Sequence, residues 1–491
     1  MRNIVYSLLA IAIIGSSCQK KVLDIEPRNL ESDVQAFSTP AKIEAAVIGT
    51  YDGLQSAEFL AGRALVYVDL LGSDVFDRQG YFGDLPRFNI LGNNSIAYNV
   101  WTAGYNSIGR ANLAIDGISK NASKLTGDQA KAYIAECKFV RAVANFYLVN
   151  FFAQTYVYTA DASHPGIPLI TQSFNSENMS EANQPRSTVA QVYTAIISDL
   201  TDALTDLPET YGDVYSDKTR GTKGAAASLL SRVYLYKADY ANAKKYAGDV
   251  IAQTYGTYAL QSDPAAPFEI DNYTTDETVW SIPNNANDNP NTNNSLPMHY
   301  APKGRADLPL SSTFLNVATN PYFALNDKRR NMIIPGVAAT NTLGMWFTSK
   351  YTDIAGRGDW APIIRYAEVL LNYAEAQAHL ANGVDADAID KLNEVRDRSK
   401  AITTPSYTVA DFANKDELIA AILGERRIEL AFEGHRFWDL MRNKLPVTGK
   451  FDSNGTSPIP TEPFGADKNV FPIPQVEIDK SGGILSQNKG Y

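Results

Sequence analysis

The residues able to do chemistry are sparse and scattered. Four histidines, His164, His299, His379 and His435, stand far apart in a chain of 491 residues, and no HExxH pair lets two imidazoles share a zinc. The two cysteines, Cys18 and Cys137, form no CxxC. No GxSxG elbow presents a serine nucleophile, and no GxxxxGK[ST] loop cradles a phosphate. Arg220-Gly221-Thr222-Lys223-Gly224 lacks that length and reads as a cap on the helix at 225. Carboxylates are plentiful, so a glycosidase pair is the one enzymatic arrangement left open by residue type. The reading is a protein that binds without catalysing and needs no cofactor. Whether it holds calcium is not written in the sequence.

Binding chemistry is better supplied. The 27 tyrosines each offer a flat apolar face and a hydroxyl. A neutral sugar, with polar rims and apolar C–H faces, is met by such rings beside Asn, Asp, Arg or Gln. Trp346 follows Gly344, and Trp360 follows Gly356-Arg357-Gly358-Asp359, so both belong to loops. Asp74, Arg78, Tyr81 and Phe82 fall together in one short stretch, and Tyr300 lies near Asn293, Asn294 and His299. These seven residues, Asp74, Arg78, Tyr81, Phe82, Tyr300, Trp346 and Trp360, are the candidate ligand contacts. Alanine at Tyr81 and Trp346 together is expected to weaken glycan binding about tenfold or more, ~1.4 kcal/mol. Trp101, Trp280 and Trp438 read as core.

The elements that position these residues are mostly helical. Tyr366, Val369, Leu370, Tyr373, Ala374 and Gln377 recur at three- and four-residue steps, with a second helix near 386–398 after Asn382-Gly383. Residues 224–253 repeat that arrangement, and the small residues suit tetratricopeptide-like pairs. The fold class is therefore mainly α, a TPR-like scaffold of about four helix pairs at 40–56/98–120, 127–153/187–207, 224–253 and 361–400. Loop-rich insertions at 61–97 and 258–345 interrupt it, with short strand-like pieces such as 278–282, and 445–491 is similarly irregular. Long loops in a compact protein carry function, so the ligand is expected there. Glu425, Arg426, Arg427, Glu429, Glu433, Arg436 and Arg442 alternate in sign at helical spacing and read as a solvated, salt-bridged helix surface.

Arg2 followed by the apolar run from Ile4 to Ile14 and then Gly15-Ser16-Ser17 reads as a signal peptide over 1–17. Cys18 stands where a bacterial lipoprotein is acylated, with Gly15 where an aliphatic residue is usual. That makes Cys18 the lipidation site, 18–39 a tether and 40–491 a single domain. Cys137 lies among Ala135, Phe139, Val140 and Val143 and reads as a buried free thiol. The chain has 44 basic and 54 acidic residues, a net charge of −10, which argues against nucleic acid or an anionic membrane surface as partner.

Several segments, in register, resemble the SusD/RagB family of outer-membrane nutrient-binding lipoproteins of Bacteroidota. Leu23-Asp24-Ile25-Glu26-Pro27 is similar to the family's LDxxP start. The segment Ala135–Phe152 resembles its EAKFLRAxxYF helix, and Arg186-Ser187-Thr188-Val189 opens an RxTVxEVY match. Arg365-Tyr366-Ala367-Glu368-Val369-Leu370-Leu371 matches RYAEVLL, and Glu425–Arg442 matches ERRxELxFEGxRxxDLxR. Phe471-Pro472-Ile473-Pro474 and Gln487-Asn488-Lys489-Gly490-Tyr491 resemble FPIP…QNPGY, with Lys489 in place of proline. The resemblance implies a lipid-anchored, surface-exposed lid over a SusC-like TonB-dependent transporter in the outer membrane, passing it an oligosaccharide. The alternative is a peptide- or protein-binding helical-repeat surface lipoprotein.

Overall fold

A computed structural model of the protein describes residues 33–174 and 178–491. The expected signal peptide, Cys18 and the tether up to residue 32 lie outside the described residues. The longer helices are α1 (Pro40–Leu54), α2 (Arg63–Leu71), α3 (Ser95–Lys120), α4 (Gly127–Phe152), α5 (Val189–Asp206), α6 (Lys223–Tyr236) and α7 (Tyr240–Ile251), followed by α8 (Tyr366–Leu380), α9 (Ala386–Asp397), α10 (Lys415–Glu429) and α11 (Arg436–Arg442). Their starts are written in the local sequence. Thr39 caps α1 with Pro40 at its first position. Thr126–Gln129 and Thr188–Gln191 form reciprocal capping boxes at α4 and α5. Thr222 accepts from the Ala225 amide, so the RGTKG stretch is the helix cap that the sequence indicates.

Helices α1 and α3, α4 and α5, α6 and α7, and α8 and α9 pack as pairs, and each pair packs on the next through α3–α4, α5–α6 and α7–α8. The crossing of α3 and α4 is close because Gly104 has no side chain; a Cβ there would lie 2.7 Å from Leu148. One core runs through the array from Phe37 to Ile473. Cys137 is wholly buried in it, and burial pushes its thiol pKa up. Trp280 is also fully buried, its indole donating to the Thr219 carbonyl at 3.1 Å, and Trp101 and Trp438 are buried as well.

The insertions carry the strands. β1 (Thr278–Ile282) pairs antiparallel with β4 (Ala361–Arg365), and β2 (Ile333–Pro335) pairs with β3 (Trp346–Thr348). Two local expectations are corrected. The helix pair expected over 361–400 opens with a strand up to Arg365, because Pro362 and Ile364 lie opposite Ser281 and Trp280 of β1 before the helix begins at Tyr366. The 61–97 insertion is not wholly irregular, since Arg63–Leu71 is a helix. Every residue of α2 after Arg63 is buried, so it has no polar face to reveal a helical period.

The C-terminal segment is clasped to the scaffold. The Gln487 amide both donates to and accepts from the Ile473 backbone, each at 2.8 Å. Asn488 donates to the Phe152 and Phe471 carbonyls at 2.8 and 2.7 Å, and the Tyr491 hydroxyl donates to the Val470 carbonyl. This accounts for the spacing of FPIP and QNKGY.

Candidate functional site

The charged motif residues sit inside the protein. Arg365, with 1% side-chain exposure, bonds to both Glu433 oxygens at 2.8 Å and reaches Glu277 at 2.5 Å and Glu429 at 2.9 Å. Arg329 pairs with Asp327, Glu425 and Glu429, Arg398 with Glu277 and Glu429, and Lys350 with Glu433. A second group joins Arg426 and Arg442 to Glu375 and Asp439, and nearby Arg232 is bidentate to Glu368. Burial opposes ionisation of Glu368, but the charge and hydrogen bonds of Arg232 outweigh it and hold the carboxyl near 2. The solvated helix surface expected over 425–442 is thus corrected to a buried ion cluster. Helical spacing aligned these residues, but their principal partners come from other elements, which shield them from water.

The candidate ligand contacts separate by burial. Asp74 is 4% exposed and accepts from Arg427 at 2.9 and 2.5 Å. Phe82 is buried edge-on to Tyr67 and tilted against His299. Tyr300 has no exposed surface and donates to Asp69 at 2.5 Å; burial pushes that carboxyl up to about 8. These three hold the insertions to the core and have no face to offer a ligand, which corrects the expectation for them. Arg78 is half-buried and is spent on the Ala306 and Arg305 carbonyls at 2.9 and 3.4 Å. The four were legible as unusual, but sequence does not distinguish a polar group turned inward from one turned outward.

Tyr81 and Trp346 are exposed, at 61% and 46%. Backbone bonds join their segments into one layer, from Phe76 and Arg78 to Pro309 and Asp307, and from Leu310 to Trp346. The Arg305 guanidinium lies 4.5 Å over the Tyr81 ring, covering one face. Trp346 lines a recess of about 250 Å³ with Leu315, Arg330 and Ile333.

Trp360 sits in the best-formed aromatic arrangement. Its ring stacks on Tyr273, with centroids 5.4 Å apart and planes 17° from parallel, and Tyr215 meets it edge-on at 5.5 Å. The cleft they line is about 300 Å³, bordered by Asp271, Asn284, Asn285 and Asp353. The loop beneath is fixed: the Asp353 carboxylate accepts from the Gly356 and Gly358 amides at 2.8 and 3.0 Å, and Arg357 turns the chain at φ 56°. Asp359, pushed up to about 6 by burial, accepts from the Tyr273 hydroxyl at 3.0 Å and from the Asp353 amide. Flat rings beside amides and carboxylates suit the faces and rims of a sugar. Sequence reading missed Tyr273 and Tyr215. Tyr273 lies in the flagged insertion among Asp, Asn and Thr, whereas Tyr215 stands on a short helix outside either insertion and had no local signal.

Among the described residues, no group of three His, Cys, Asp or Glu side chains is arranged to hold a metal, and no helix is long and apolar enough to cross a membrane. His299 and Asp307 are paired at 2.8 Å but are wholly buried.

Stacked helix pairs with an aromatic cleft built from the segments between them define a repeat-scaffold protein with a binding cleft. Residues 339–491 match the profile of the SusD family, and residues 21–235 match a profile described as starch-binding associating with outer membrane. The chain belongs to the SusD/RagB family. It is 26% identical to SusD-like protein P2 of Formosa agariphila, over 100% of this chain and 99% of that one. A SusD superfamily protein from Bacteroides fragilis shares the fold with a TM-score of 0.78 and 27% identity, covering 91% and 99% of the two chains. A laminarin-binding SusD-like protein, 21% identical, superposes with a TM-score of 0.71 over 92% of this chain and 100% of that one.

Proposed function

We propose that this protein captures an oligosaccharide at the Trp360 cleft and delivers it to a SusC-like TonB-dependent transporter. The carrying observation is the Trp360–Tyr273 stack with Tyr215 at its edge and Asn284, Asn285 and Asp353 on its border. The family's starch-binding description and a laminarin-binding protein of the same fold support the ligand class. Trp360→Ala is expected to lower saccharide affinity at least about tenfold, ~1.4 kcal/mol, in a chain that still unfolds in one cooperative urea transition. A glycan array and calorimetry on the purified protein test this; peptide binding with no saccharide hit would replace the reading with that of a peptide-capture protein.

Cys18 is read as the acylated residue that holds the protein at the outer face of the outer membrane, where two or more acyl chains give stable anchoring. The family's association with the outer membrane supports that reading. Palmitate-analogue labelling should disappear in Cys18→Ala, and labelling that persists refutes the anchor. Co-purification of a TonB-dependent barrel with the native protein tests the transporter partnership, and its absence under mild detergent counts against it.

A further inference from the structure

A larger cleft, of about 720 Å³, opens between α3, the residues Pro168, Ile170, Phe174 and Ala182-Asn183-Gln184, and the short helix Gln475–Lys480. It shares no lining residue with the Trp360 cleft. Its floor is one stripe of α3: Tyr98, Trp101 and Tyr105 follow at steps of three and four and span about 10 Å at 1.5 Å per residue, with the exposed Tyr98 and half-buried Tyr105 offering ring faces and the buried Trp101 bracing them from below. Thr102 and Asn106 run beside them, also four apart.

Trp101 and Tyr105 are held in place. Trp101 meets Phe152 edge-on at 4.9 Å and lies 4.7 Å from Tyr105, whose hydroxyl donates to the Pro168 carbonyl at 2.8 Å. The polar groups alongside are unspent. The Tyr98 hydroxyl, the Trp101 indole N–H, the Thr102 hydroxyl and the Asn106 amide have no hydrogen-bond partner among the described residues. Phe174 faces them across the cleft, and at the rim Lys480 pairs with Glu477 at 3.5 Å, which cancels the charge there. A row of aromatic rings anchored by Trp101 and Tyr105, an adjacent row of free donors and acceptors, and a neutral rim together select a ligand with apolar faces, hydroxyl edges and no charge.

We propose that this cleft is a second binding site for a neutral oligosaccharide, separate from the Trp360 cleft. The inference rests on the saccharide reading of the protein for its ligand class, and on α3 for its place. Two sites on one chain would let it hold a long glycan at two points, where the second contact is intramolecular and raises avidity without new chemistry.

Calorimetry on the whole chain with laminarihexaose and with maltohexaose tests it, using three variants: Trp360→Ala, Tyr98→Ala/Asn106→Ala and their combination. Tyr98 and Asn106 are exposed, so the double variant is expected to melt with the wild type. The expected result is a saturation ratio of two hexasaccharides per chain, falling to one in either variant and to none in the combination. A ratio of one that Trp360→Ala abolishes overturns the second site and leaves the first. Binding that survives Trp360→Ala but is lost in Tyr98→Ala/Asn106→Ala upholds the second site and overturns the first. Absence of binding at millimolar sugar overturns both.

Discussion

Arg365 and Trp360 are neighbours on one loop-to-strand segment, and their surroundings are opposites. Arg365 opens the RYAEVLL motif, lies at 1% exposure and spends its guanidinium on three glutamates from two distant segments. Trp360 belongs to no motif, is half-buried and lines a cleft with two tyrosines from elsewhere. The residues by which the chain is recognised are therefore wired into the interior, while the residues proposed to meet a ligand lie in segments without a signature. Family membership and the proposed ligand contacts rest on different chemistry within a few residues of each other.

The sharpest way to break this contrast is to cut each side in turn. Arg365→Met leaves Glu277, Glu429 and Glu433 short of a buried cation and is expected to cost about 3–5 kcal/mol, read as a fall in the urea midpoint. A loss below about 1 kcal/mol, the range of exposed pairs, would mean that the cluster is not shielded from water. On the other side, alanine at both Tyr81 and Trp346 should leave the midpoint unmoved. If the layer that carries them extends the binding surface, affinity for long glycans falls about tenfold, ~1.4 kcal/mol; unchanged affinity confines recognition to the clefts.

Titration refines the buried side further. Glu368 is held near 2 in the folded protein, below its ordinary value near 4.5, so its contribution is complete above about pH 4.5 and is lost as pH falls toward 2. Glu368→Gln should flatten that part of an acid-denaturation curve. Asp69 runs the other way: with its carboxyl raised to about 8, its contribution is complete below about pH 4 and is lost as pH rises through 8. Asp69→Asn should remove that decline, measured as urea midpoints at pH 5 and pH 8.

Much of the scaffold was legible because its signals are local. Thr126 with Gln129, Thr188 with Gln191, and the period of Tyr366, Val369 and Tyr373 need no distant partner to be read. Helix α2 was not legible, since burial on all sides erases the alternation that marks a surface helix. At the candidate site, glycine-flanked loops pointed to Trp346 and Trp360. The same reasoning misplaced Asp74 and Tyr300, because whether a loop side chain turns inward is decided by partners such as Arg427 and Asp69 that lie hundreds of residues away. Tyr215 and Tyr273 become neighbours of Trp360 only through tertiary packing.

The clasp at the C-terminus bears on the order in which the molecule is made. The Phe152 carbonyl, at the end of α4, waits for an asparagine 336 residues later in the chain. Gln487 and Tyr491 likewise close around residues 470–473, so this edge of the core has its full set of bonds only once residues 487–491 have docked. Pairings of such long range slow folding, so this edge of the core is expected to be among the last parts of the molecule to become ordered.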